Sequence, residues 1–155
     1  MTDSSVALDS NLLLLYIVGC ASRDYIAKHK RLKAYSTEDF ELLVKELSAA
    51  SSVKVTPNTL TETSNLIDHI AEPARSLIYE TFESFLALPE SDEQYVPCKH
   101  AAAAPELPRL GLTDCVLLRL CADGVPLLTA DLPLYLAAVA HGAAATNFNH
   151  LRDAR

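Results

Sequence analysis

Val6-Ala7-Leu8-Asp9-Ser10-Asn11-Leu12-Leu13-Leu14-Leu15-Tyr16 reads as a buried strand handing over to a helix, with an acid at the junction. Three apolar residues lead into Asp9, and the apolar run that resumes after Asn11 has a spacing a helix can use. The end of a strand that feeds a helix is the edge at which open α/β sheets bind ligands. Asp9, Ser10 and Asn11 are also short polar side chains suited to capping the first amides of that helix, so the acid has a purely structural explanation as well. What shifts the balance is that the arrangement recurs.

Leu112-Thr113-Asp114 precedes an apolar helix, and the strongly apolar strand 125–128 runs through Thr129-Ala130-Asp131 into a helix over 132–140. Between these, Ser36 or Thr37 with Glu38 and Asp39 opens a helix whose apolar stripe is Phe40, Leu42, Leu43 and Leu47. Val53 and Val55 mark a short strand closed by Pro57, and helical spacing resumes over 59–70, with Glu62 in the first turn. Ala74, Leu77, Ile78, Phe82, Phe85 and Leu86 mark another amphipathic helix. The segment 90–110, with Pro97, Pro105 and Pro108 around an alanine run, is expected to be irregular and partly mobile, with a third strand over 95–98. A last strand is expected over 143–148, with Asn147, Asn149 and His150 near its end. About five short strands alternating with helices predict one α/β domain over 1–155, a three-layer α/β/α sandwich on a mainly parallel sheet. Parallel strands need crossovers, so Asp9 and Asp131 should share one edge.

With 155 residues, half of them apolar, the chain is long enough to bury one sizeable core. Thirteen basic against twenty acidic side chains, a net charge of -7, argue against holding nucleic acid by bulk electrostatics. A nucleic-acid enzyme remains compatible with that charge, because a divalent cation shared by several carboxylates would neutralise part of it. Cys20, Cys98, Cys115 and Cys121 form no CxxC pair, and only Cys98 has a nearby histidine, His100, so zinc is weakly supported and reduced, mostly buried thiols are expected. The run from Leu12 to Ala21 is too short to span a bilayer and nothing before Asp9 is basic, so a cytoplasmic setting without membrane contact is the expectation. Lys28, Lys30, Arg31 and Lys33 make the one dense basic cluster. They could rest on phosphates, although cations are also favoured at a helix C-terminal end for structural reasons alone.

Asp9, Glu62, Asp114 and Asp131 therefore stand at helix starts or strand ends and could gather in one cleft. Four uncompensated carboxylates would repel one another, and an all-oxygen donor set favours a hard cation such as Mg²⁺ or Mn²⁺ over zinc. A divalent ion so held can polarise a phosphodiester and activate water.

The succession LDSN, TLTE, LTD and LLTAD resembles the PIN-domain nuclease family, whose VapC-type toxins are nearest in size. The resemblance runs from Val6 to about Phe148, although the proline-bearing stretch 101–110 lacks the clean helix many small members show before the third acid. It implies a compact α/β/α fold and an Mg²⁺- or Mn²⁺-dependent endoribonuclease in which water is the nucleophile. By motif position Asp9, Glu62, Asp114 and Asp131 match the four metal-binding acids, Asn11 and Thr129 match supporting polar residues, and Ser10 stands where threonine is common. It further implies a homodimer, with apolar side chains of 40–47 and 77–86 as its surface, and admits a role as the toxin of a toxin–antitoxin pair, an antitoxin covering the site.

Other site chemistries fit less well. A haloacid-dehalogenase-like phosphatase would place a second aspartate where Asn11 stands, and a receiver domain would want a lysine soon after Asp131. Ser10 lacks a glycine-flanked elbow, and His29, His69, His100, His141 and His150 read as surface or supporting groups. The alternative from another class is a non-cleaving binding module whose acidic pocket docks a basic partner protein.

Overall fold

The computed structural model describes residues 4–155. Strand β1 (Ser5–Leu8) is followed by helices α1 (Ser10–Ala21), α2 (Asp24–Lys28) and α3 (Thr37–Ser48), and β2 (Ser52–Val55) by α4 (Pro57–Ile67) and α5 (Ala74–Leu86). Then come β3 (Ser91–Glu93), α6 (Cys98–Ala101), α7 (Leu107–Leu110) and α8 (Leu112–Ala122). β4 (Leu127–Thr129) leads to α9 (Leu132–Ala140), and β5 (Ala145–Asn147) to α10 (Phe148–Ala154).

The five strands form one parallel sheet in the order β3-β2-β1-β4-β5. The chain builds outward from β1 to β3, then returns to set β4 against the other side of β1. The order reverses between β1 and β4, and all carboxyl ends lie on one edge. That reversal opens the crevice where ligands bind in such sheets.

Strand side chains alternate between faces. Leu8 and Leu128 accordingly join the apolar cluster built with α1, α3 and α5, whereas Ala7 and Leu127 join the cluster built with α8 and α9. The result is the expected three-layer sandwich. Leu12 to Leu15, Ile17 and Val18 are all buried, so α1 is apolar on every side and runs through the interior. No helix among the described residues is long and apolar enough to cross a membrane.

Several boundaries differ from expectation. The third strand is Ser91–Glu93, not 95–98: a polar strand at the sheet edge carries no apolar alternation to read, and charge is a common protection for such an edge. Val96 is buried from a coil, and Pro97 leads into α6. Segment 90–110 thus holds one short strand and two four-residue helices. Helix α4 begins at Pro57, capped by the Thr56 hydroxyl accepting from the Thr59 amide at 3.1 Å, so Glu62 lies in its second turn rather than its first. The last strand is shorter than 143–148 because the Asn147 side chain caps α10, accepting from the Asn149 amide at 2.9 Å. Phe40, Leu43, Leu47, Ile78 and Phe85 belong to the core, so of the apolar side chains expected at a dimer surface only Leu77 and Leu86 are exposed.

Gly19 lets Phe40 approach α1: a Cβ there would stand 2.2 Å from the ring. Gly19→Val is expected to overpack this contact at a cost of about 1–3 kcal/mol, lowering the melting temperature by roughly 2–4 °C per kcal/mol. Adding Phe40→Leu should recover part of the loss in thermal denaturation; no recovery would show that the ring is not what the valine meets.

Candidate active site

Asp9 ends β1 and caps α1, its Oδ1 accepting from the Leu12 amide at 2.8 Å. Its Oδ2 accepts from the Thr129 hydroxyl and from the Ala130 amide, the latter at 3.0 Å, across the sheet's reversal point. The Asp131 amide donates to Thr129 Oγ1 at 3.0 Å, which leaves the threonine proton free to point at Asp9. Asp131 in turn caps α9, Oδ1 accepting from the Leu134 amide at 3.0 Å. One short relay thus fixes two acids from opposite ends of the chain.

Asp114 enters from the first turn of α8 and Glu62 from the second turn of α4, which packs against α8. Burial pushes the Asp114 carboxyl up to about 7, assisted by the charges of Asp131, Asp9 and Glu62 in that order. The charges of three of the acids read from the sequence, Asp131, Asp9 and Glu62, therefore all reach the fourth, Asp114. Asp9 is also raised, mainly by its burial and further by Asp131, against the lowering effect of its hydrogen bonds to Thr129, Leu12 and Ala130.

The supporting residues divide. Thr129 orients Asp9 as the sequence suggested, while Asn11 is exposed. Ser10 is buried, and its hydroxyl has no hydrogen-bond partner. Lys28, Lys30, Arg31 and Lys33 are exposed, and none is among the charges acting on Asp9 or Asp114. Lys33 Nζ instead donates to the Ala27 carbonyl at 3.0 Å, near the C-terminal end of α2. Of the histidines, His29 is fully buried rather than a surface group. Cys115 and Cys121 are buried, but Cys20 and Cys98 are exposed.

Sequence reasoning missed Tyr35, Asn149 and Arg152. Burial, and then the Asp9 charge, push the Tyr35 hydroxyl up to about 12, so it stays protonated beside the acids at neutral pH. Asn149 Nδ2 donates to the Ala130 carbonyl at 3.1 Å, and Arg152 Nη1 donates to Asn149 Oδ1 at 3.0 Å. Arg152 also pairs with Asp39 at 3.0 Å and lies over the Tyr35 ring at 5.1 Å. Asn149 and Arg152 brace this region from α10, and no local motif announces the contacts of Arg152 with Asp39 and Tyr35, more than a hundred positions away.

The donor set is carboxylate oxygen throughout, with an orphaned buried hydroxyl next to Asp9 in the chain, and this chemistry suits a hard divalent cation. Among the described residues no group of three His, Cys, Asp or Glu side chains is already placed to enclose an ion. Mg²⁺ does not require such a cage, because it keeps several waters and is held by one or two carboxylates together with substrate phosphate oxygens. No family model, curated protein or solved structure matches the chain.

The Asp114 shift gives a pH dependence. An acid whose value is raised on folding stabilises the protein fully at low pH and loses that contribution as pH rises from the unfolded value near 3.8 through about 7. In chelator, the melting temperature should therefore fall between pH 6 and pH 8. Asp114→Asn should reduce that slope and melt higher than the unaltered protein at pH 8; identical slopes would contradict the coupling.

Proposed function

We propose that the chain is a PIN-like, divalent-metal-dependent endoribonuclease. One observation supports the reading: Asp9 and Asp131 flank the sheet's reversal point, and the charges that act on Asp114, those of Asp131, Asp9 and Glu62, are all negative. Asp9, Glu62, Asp114 and Asp131 would hold Mg²⁺ or Mn²⁺, directly or through water. The bound ion would supply Lewis-acid polarisation of the phosphodiester and neutralise charge gathering on its oxygens. The protein's own residues prepare the site. Thr129 and the Ala130 amide hold Asp9 in one orientation, and the cap to Leu134 does the same for Asp131. Burial limits the water reaching Asp9, so that local charges act with less screening.

An antitoxin is proposed for the same pocket on the same grounds. A lysine or arginine reaching the acids would relieve the repulsion that a cation relieves, and would thereby compete with it.

A pooled RNA preparation incubated with the protein in Mn²⁺ should acquire new, mappable ends, and Asp114→Asn should reduce cleavage by at least about 100-fold, in line with loss of a group that stabilises charge in the transition state. Undiminished cleavage by the variant would remove Asp114 from the site. RNA left intact by the unaltered protein would favour the non-cleaving module that docks a basic partner.

A further inference from the structure

An open groove of about 440 Å³ runs along α4, and Tyr95 and Cys98 from the segment that follows β3 also line it. That volume falls in the range of small-molecule sites. Asn58, Thr61, Glu62 and Asn65 line it from one face of α4, their spacing of three and four residues placing them in a row. Thr113, the neighbour of Asp114, lines it from α8. The groove therefore includes one of the four acids, Glu62, and the chain neighbour of a second, Asp114.

Opposite the helix stands Tyr95, 77% exposed and the most exposed large apolar side chain among the described residues. It follows β3 at the carboxyl edge of the sheet, where β2 and β3 end together at Val55 and Glu93. A single exposed aromatic is ordinary on a protein surface. This one faces a groove carrying two carboxamides, and the lining includes no lysine or arginine. Carboxamides donate and accept at once and so match the edges of nucleobases, while an aromatic ring stacks on the face of any base. Without cationic side chains the groove is poorly suited to holding a phosphate backbone, and the protein's net charge of -7 points the same way.

We propose that this groove is a subsite for an unpaired nucleobase of single-stranded RNA flanking the bond cut at the acid pocket, with Tyr95 as the stacking platform and Asn58 and Asn65 as contacts to the base edge. The proposal rests on the ribonuclease reading. It makes recognition depend on the base face and edge rather than on phosphate charge, so duplex RNA, whose bases are stacked internally, is excluded. It also makes binding only weakly dependent on salt.

The test uses fluorescence anisotropy with labelled single-stranded RNA oligonucleotides of mixed sequence. The full chain carries Asp114→Asn in Mg²⁺ so that the RNA stays whole. Adding Tyr95→Ala should weaken binding about 5- to 150-fold, the loss expected for one stacked base, whereas Tyr95→Phe should stay within about twofold. Asn58→Ala with Asn65→Ala should weaken binding while leaving the melting temperature unchanged. Equal affinity with and without the Tyr95 ring, absence of binding by the parent, or equal affinity for duplex would overturn the subsite. Cleavage by the otherwise unaltered protein separates the two readings. Tyr95-dependent binding with no cleavage in Mn²⁺ keeps the subsite and removes the nuclease, and cleavage whose kcat/KM is indifferent to Tyr95→Ala keeps the nuclease and removes the subsite.

Discussion

The hydrogen bonds that the Asp9 carboxylate accepts from Thr129 and the Ala130 amide join the first and fourth strands where the strand order reverses. A buried carboxylate is costly unless donors surround it, and here the third donor is the Leu12 amide at the opening of α1. Local structure and site are thus made by the same contacts. The cap that starts the central helix positions the first acid, and the threonine that steadies that acid receives the amide of Asp131. Loss of Thr129 would touch the α1 junction, the β4 end and two acids together.

The protein treats its buried acids in two different ways. Asp39 is almost completely buried, yet its carboxyl is held below its ordinary value: burial opposes this, but the Ser36 amide and the guanidiniums of Arg152 and Arg155 outweigh it. Asp9 and Asp114 are raised instead, because burial and neighbouring acids act on them without a paired cation. Asp39 is neutralised from within the chain, whereas the charges that act on Asp9 and Asp114 are those of other acids. Unpaired buried charge is expensive, and clusters of perturbed acids in a crevice are a functional signature rather than a structural necessity. This contrast supports a cation site more strongly than the presence of acids alone.

Much of this was legible in the sequence because it depends on short-range patterns. Apolar strands ending in Asp9 and Thr129, and caps opening α1, α3 and α9, are written in consecutive residues, and they place two of the four acids, Asp9 and Asp131, at junctions. The motif marks Glu62, but its turn is not legible, because Thr56 and Pro57 start α4 earlier than the apolar spacing does. Strand β3 is not legible, because Ser91, Asp92 and Glu93 pair through their backbones and owe little to burial. Helix α10 carries no apolar periodicity to read, since Phe148 is its only buried residue. The partnership of Asp39 with Arg152, and the groove shared by Asn58 and Tyr95, arise only when distant segments meet.

The most direct measurement is calorimetric titration of Mn²⁺ into the metal-free protein near pH 7, in two buffers of different ionisation enthalpy. A carboxyl poised at about 7 must give up its proton to become a ligand, so binding should be saturable and accompanied by proton release, seen as a buffer-dependent heat that Asp114→Asn diminishes. Absence of saturable binding, or a heat identical in both buffers, would contradict the claim that these four acids form one coupled cation site.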